Sequence, residues 1–501
     1  MRSPRSRHKS LGLCLALAAS PAFAQPPQPA PLRTNDYTID LYQGPVLASS
    51  RVVGLAGAFV AMADGIDGDT QNPASPAVRV PYSYTDIDYD LGAGLSFPGS
   101  LGRSGDFFNS GSRTRVIAGN NLYVFLNGAF NLQINHWGFG VTADLQQYSL
   151  QRNEPGATQN PRSLLDLTGT TTSLTGQIMQ NHLLASYAFD DGQLVVGTGA
   201  RVVTLDVSTR ATFLSSGVDT LNTRGAGVEL GFIWRPNGER VRVGGAFRST
   251  VNADTQGGVI YRGTSDELWL PNHLTLPWDL SFGAAVQLGR KPLNPRWVSP
   301  AELLAHKRRY LAWQARERER RTREALADAR REGRDVITLE RILRAADAAE
   351  AALDRAELER AERAVDRELR RRNAEMPRFH VLLTSSFLMT GAVHDGVGIE
   401  GFLNREDQRS GQQISLSPRL GVEVEPIPNW LQARAGVYFE PTRFRSNEDG
   451  GRSHVTFGGQ ARLLPWDVFG TFPEGSWWWL GGSLDVARNY LGWGLALGVW
   501  H

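Results

Sequence analysis

From about residue 82 to the end, apolar and polar positions alternate one by one in segment after segment. Trp137-Gly138-Phe139-Gly140-Val141-Thr142-Ala143-Asp144-Leu145-Gln146 puts large apolar groups on one face and small or polar groups on the other. Val241 to Arg248 sets arginines opposite Val and Phe, and Leu431 to Glu440 repeats the pattern. So do Leu280 to Leu288, Leu420 to Val424, Val455 to Leu463 and Leu491 to Val499. A period of two predicts β-strands. They are placed near 82–97, 120–132, 136–149, 179–190, 193–206, 226–236, 240–250, 278–290, 377–391, 412–425, 429–441, 453–464, 476–487 and 490–500. The pattern predicts an all-β chain: a transmembrane antiparallel β-barrel of about 14 strands, with lipid outside and a polar, wet lumen.

The connections support closure into such a barrel. Short turns at Asn135, Asp191-Gly192, Asn237-Gly238-Glu239 and Pro426-Ile427-Pro428 alternate with long polar loops around 98–119, 150–178, 207–225, 251–277, 392–411 and 442–452. The nearly absent loop between the last two strands is the exception. Short periplasmic turns, long outer loops and an even strand count place both termini on the inner side. Trp477-Trp478-Trp479, Trp493 and Trp500 are expected in interfacial aromatic girdles.

One segment breaks the pattern. Ala301 to Met376 holds 20 Lys/Arg and 17 Asp/Glu with almost no glycine or proline, and reads as helix throughout. Ser299-Pro300-Ala301-Glu302 supplies an N-cap, a first-turn proline and a capping-box glutamate. Gly333 interrupts the run, and Thr338 is the expected cap of a second helix. An inserted α-helical hairpin over 298–376 follows, at a short-turn position and so projecting into the periplasm.

Composition enters here. The chain of 501 residues carries 53 glycines and one cysteine, which excludes a disulfide framework and a thiolate cluster. No run of about twenty apolar residues offers a membrane helix. Arg2, Arg5, Arg7 and Lys9, the apolar Leu11 to Ala19 and the small-x-small Ala22-Phe23-Ala24 make a secretory signal. Cleavage after Ala24 removes four cations and Cys14 and takes the formal charge from +2 to −2. The expected division is 1–24 signal peptide, 25–79 N-terminal segment and plug, 80–297 first part of the barrel, 298–376 hairpin and 377–501 second part of the barrel.

Ahead of the first strand runs Ser50-Arg51-Val52-Val53-Gly54-Leu55-Ala56-Gly57-Ala58-Phe59-Val60-Ala61-Met62-Ala63-Asp64, and then Gly65 to Ala74 with Asn72-Pro73-Ala74. This resembles the N-terminal signature of the FadL/TodX family of outer-membrane transporters for hydrophobic compounds. The resemblance covers about 25 residues closely and the remainder by architecture. It implies that about Asn35 to Arg79 fold into the barrel as a plug, or hatch, gated around Gly54, Gly57, Ala58, Phe59, Asp64, Asn72, Pro73 and Ala74. It also implies that a hydrophobic solute leaves sideways through a gap in the wall beside the hatch. The helical insert departs from the family pattern.

Enzyme chemistry finds little support. Gly92-Ala93-Gly94 and Gly197-Thr198-Gly199 lie in strands rather than phosphate loops, and the histidines show no metal spacing. The mixed charge of the insert argues against nucleic acid. Inward-facing Asp144, Arg201, Arg242, Arg248, Glu423 and Arg434, with Asp279, Glu440 and Arg462, are expected to form a polar network in the lumen. The expected function is passive transport of hydrophobic small molecules, such as long-chain fatty acids or aromatic hydrocarbons, across the bacterial outer membrane, with no cofactor and no metal. The expected partners are outer-membrane lipid, the solute and, through 298–376, a periplasmic protein. The alternative is a structural or secretion-accessory barrel whose hairpin docks an envelope complex.

Overall fold

The alternating segments form fourteen strands that close on themselves. They are β1 Ile87–Phe97, β2 Leu122–Ile134, β3 Trp137–Leu150, β4 Leu174–Phe189, β5 Leu194–Thr209, β6 Val218–Trp234 and β7 Val241–Arg248. They continue as β8 Asp279–Gly289, β9 His380–Thr390, β10 Ser415–Ile427, β11 Leu431–Pro441, β12 Gly451–Pro465, β13 Trp477–Ala487 and β14 Tyr490–Trp500. Each strand pairs antiparallel with its neighbours in sequence, and β14 returns to β1. This computed structural model describes residues 30–79, 86–98, 104–111, 114–115, 122–150, 174–209, 218–255, 257–261, 267–445, 447, 450–465 and 477–500. The signal segment 1–24 and the side chain of Trp500 lie outside them.

The outward face is apolar: Phe130, Trp137, Phe139, Leu183, Leu230, Phe282, Leu420, Phe457 and Leu495 are all exposed. An unbroken belt of this kind is the surface that lipid covers. Trp137, Tyr187 and Phe189 cluster edge to face at the short-turn end, and Trp430 meets Trp477 there. Trp479 corrects the girdle expectation. It points inward, buried, and donates from Nε1 to the Val499 carbonyl at 3.0 Å. The sideways gap is not seen among the described residues; the shortest ladders are β6–β7 and β14–β1.

The insert is a hairpin of α1 Pro300–Arg331 and α2 Val336–Glu375, roughly 48 and 60 Å long at 1.5 Å per residue. Ser299 caps α1. Gly333, at φ +69, takes the left-handed turn between the helices. Asp335, three residues before Thr338, caps α2 through Oδ1 to the Ile337 and Thr338 amides at 3.1 and 3.2 Å. Its carboxylate is short enough to reach both amides from one position, which corrects the expected cap. Lys307–Glu357 and Arg318–Asp354 join the arms.

Two carboxylates of the hairpin, Asp335 and Glu317, set an acid limit. Hydrogen bonds from Thr338 hold Asp335 below its ordinary value, and Arg320 holds Glu317 down to about 2. A lowered value means stabilisation that is complete above about pH 4 and lost as pH falls through the folded value. Helical ellipticity of the full chain should therefore decline between about pH 4 and 2 while the barrel signal stays, and Asp335→Asn should weaken that decline.

Candidate functional site: a plugged lumen

Residues 50–79 fill the lumen toward its short-turn end. The helix Ser50–Gly54 is capped by Ser49, and Ala56 and Gly57 both turn left-handed after it. A side chain on Gly57 would overlap the Arg419 guanidinium as well as strain the backbone. The abundance of glycine is explained mainly on the wall. Added Cβ atoms on Gly138, Gly197 and Gly231 would overlap plug atoms at Pro76, Pro73 and Asn72. On Gly244 and Gly458 they would lie 2.7 Å from the Val60 carbonyl oxygen and 2.9 Å from the Gly54 Cα. The strands give up side chains where the plug backbone lies against them.

Polar groups then fix the plug in place. Asn72 is fully buried and donates from Nδ2 to the carbonyls of Val60 at 2.9 Å and Phe232 at 3.0 Å. Its Oδ1 accepts from the Ala74 amide at 3.0 Å. Thr384 donates to the Ala58 carbonyl at 2.7 Å, and Phe59 lies under the Arg51 guanidinium. Asp64 is shared by Arg51 at 2.8 Å and Arg242 at 3.3 Å. Glu423 in turn receives Arg51 at 3.2 Å and Arg434 at 2.6 Å. Asp69 accepts from Asn131 Nδ2 at 3.1 Å, and desolvation pushes its carboxyl well above the ordinary range.

The nine lumen residues do not form one network. Arg242, Glu423 and Arg434 belong to the plug cluster. Arg201 and Arg248 belong to a second cluster above it, joined by Asp279 at 3.4 and 2.6 Å. Asp144 is held by Asn127 Nδ2 at 2.9 Å and interacts with His182 beside the second cluster. Glu440 serves a third cluster with Arg452, His454 and Asp485. Arg462 stacks on Trp477, 3.6 Å from the ring centre.

Sequence reasoning missed several of the central groups. Arg51 stands inside the glycine-rich segment Ser50 to Asp64, where nothing local marks it as an ion-pair centre. Glu229, fully buried, takes His182 at 2.9 Å and Arg248 at 3.5 Å. Its inward position follows from the same alternation that singled out Arg248, so the signal was present.

Above the plug lies a cavity of about 170 Å³ lined by Val46, Leu47, Val60, Leu276 and Leu388 together with Asp144, His182, Arg201, Arg248 and Arg419. Arg419 bonds only to the Ser417 hydroxyl and the Gly57 carbonyl, and no carboxylate lies within 4.0 Å of it among the described residues. Above the cavity an apolar cluster fills part of the lumen, beside the Glu440, Arg452, His454 and Asp485 cluster, whose Arg452 lies over Tyr490 and donates to the Phe107 carbonyl. Tyr148, Ile178, Val203, Leu205 and Leu221 turn inward from β3 to β6 and pack with Phe107, Phe402 and Phe444 of the loops. Tyr37, Ile39 and Leu41 of the N-terminal chain complete the cluster. Thr38–Asp40 runs parallel to both His273–Leu276 and Gly396–Gly398, in a four-stranded sheet that also contains Val251–Asp254.

No family model matches this chain, and no curated protein matches it. Among solved structures it is similar to a Pseudomonas aeruginosa FadL homologue, at 10% identity over 91% of this chain and 99% of that one, with a TM-score of 0.45. It is similar to the monoaromatic hydrocarbon channel CymD, at 10% identity over 91% and 97%, with a TM-score of 0.45. The Ralstonia pickettii toluene transporter TbuX follows at 10% identity over 91% and 97%, with a TM-score of 0.43.

Proposed function

We propose that the chain is an outer-membrane passive transporter of hydrophobic small molecules, with residues 35–79 as its plug, and that it is not an enzyme. The observation that carries this reading is the apolar cluster on the β3 to β6 side of the outer lumen. Inward positions that would be polar in an aqueous channel are instead Ile178, Val203, Leu205 and Leu221. An apolar solute entering among them exchanges water for hydrocarbon at about 25 cal/mol per Å². Of the two cargo classes that the resemblance implies, the cavity beneath favours long-chain fatty acids, because Arg419 offers an anionic head group a cation without a carboxylate partner.

The test is uptake of a fluorescent long-chain fatty acid by vesicles containing the full chain. Asn72→Ala should change the rate several-fold by loosening the plug, and replacement of α1 and α2 by a short link should leave it within about twofold. A second reading, in which the hairpin docks a periplasmic protein, is favoured by the exposed Leu303, Tyr310 and Trp313 on α1. Absence of fatty-acid binding, together with a co-purifying periplasmic protein that is lost on removing the helices, would select it instead.

A further inference from the structure

Both legs of the hairpin end on the ion cluster that holds the plug. On the incoming leg, Arg242 donates from Nε to Asn294 Oδ1 and from Nη2 to the Leu293 carbonyl, each at 2.7 Å. The same guanidinium reaches Asp64 of the plug through Nη1 at 3.3 Å. The Leu293 side chain is buried in one cluster with Leu55, Phe59 and Ala61 of the plug. Asn294 is fully buried and tied to the wall through Nδ2 to the Val241 carbonyl at 2.7 Å.

The outgoing leg arrives from the other side. His380, the first residue of β9, donates from Nδ1 to the Arg378 carbonyl at 2.9 Å and places Nε2 3.5 Å from Glu423. Glu423 passes the contact on to Arg51, and Arg51 to Asp64. Asp64 is thus reached from both legs, through one arginine on each side. A solvated ornament would need no such root. The helices beyond it are about 48 and 60 Å long and pack on each other, and the incoming leg also meets the barrel rim through Ser299 to Asp86 and Trp297 against His136.

We infer that the hairpin is a handle on the plug: displacement of its legs is carried by Arg242 and Glu423 to Asp64 and Arg51, and loosens the plug from the periplasmic side. This regulation rests on the plug reading above. Arg242 acts as a positioning residue, because its fork satisfies the hairpin root and the plug together. A lysine keeps the charge for Asp64 but lacks the fork geometry needed to serve all three acceptors.

The test is a double-substitution cycle read by hydrogen exchange of residues 58–68 in the full chain in lipid nanodiscs. Asn294→Ala should speed exchange of that plug segment by about tenfold, the scale of one buried hydrogen bond to a charged group. In an Arg242→Lys background the same substitution should add less than twofold, since coupled sites are not additive. Heat-modifiable gel mobility shows that each barrel is closed, so a folding failure is recognised and not counted. Equal effects of Asn294→Ala in both backgrounds, or no effect in either, overturn the proposal. Exchange needs no solute, so the two readings fail separately: coupled exchange without fatty-acid flux sinks the transporter, and flux with uncoupled exchange sinks the handle.

Discussion

Replacing Glu423 by alanine is expected to release the plug from the wall. The substitution leaves Arg434 and Arg51 without the carboxylate that they approach to 2.6 and 3.2 Å, and Arg434 is almost fully buried. Removing one partner of a buried ion pair costs on the order of 3–5 kcal/mol, because the remaining charge is left desolvated. Most of that cost should fall on the plug, since the barrel ladders run through backbone groups that the substitution does not touch. Residues 50–64 should exchange amide hydrogens about a hundredfold faster, while β10 and β11 remain protected. Glu423→Gln, which keeps shape and one acceptor, should lie between. Exchange in the alanine variant within twofold of the parent would show that the cluster does not seat the plug.

Adding one methyl group at Gly197 should have a comparable effect by a different route. The new Cβ overlaps the Pro73 carbonyl oxygen, so the obstacle is backbone and no rotamer change relieves it. Overpacking in close-packed interiors costs about 1–3 kcal/mol, and here the plug turn must shift as a body. Such a shift would break the Asn72 bond to the Phe232 carbonyl, leaving buried polar groups unpaired at a further cost of about 1–3 kcal/mol. Fatty-acid uptake should rise several-fold as the plug loosens. Gly128→Ala is the control, because nothing lies within 4 Å of a Cβ built there, and it should behave as the parent. If Gly197→Ala and Gly128→Ala give the same uptake and the same plug exchange, steric docking of the plug is the wrong account.

Strand boundaries show where the alternation could be read and where it could not. β3 and β7 stand out because lipid faces one side and plug or polar clusters the other. β6 begins at Val218, well before the expected 226, since its outward Asn222 and Arg224 are polar and its inward Leu221 is not. There the usual contrast between outside and inside is reversed. β4 likewise begins at Leu174, and its inward Ile178 beside outward Met179 makes two apolar neighbours. An alternation rule has nothing to detect where both faces are apolar. For the candidate residues, the alternation carried no information about their partners. Arg201 and Arg242 have the same character in sequence, yet one joins Asp279 and the other Asp64.

The sequence by itself determined what depends on local period and composition. Those features are the two-residue alternation of a barrel, the charged hairpin with its serine cap and glycine break, and the glycine-rich segment resembling a hatch. These properties reside in the backbone geometry of neighbouring residues, so no distant contact is needed to express them. Only the tertiary structure decided which inward glycines receive the plug, that apolar inward residues of β3 to β6 cluster with the loops, and that both hairpin legs meet at Asp64. Each of these joins residues hundreds of positions apart, such as Arg51 with Glu423 and Gly54 with Gly458. Closure of the barrel brings them together, and burial then makes every unpaired charge or extra methyl group costly.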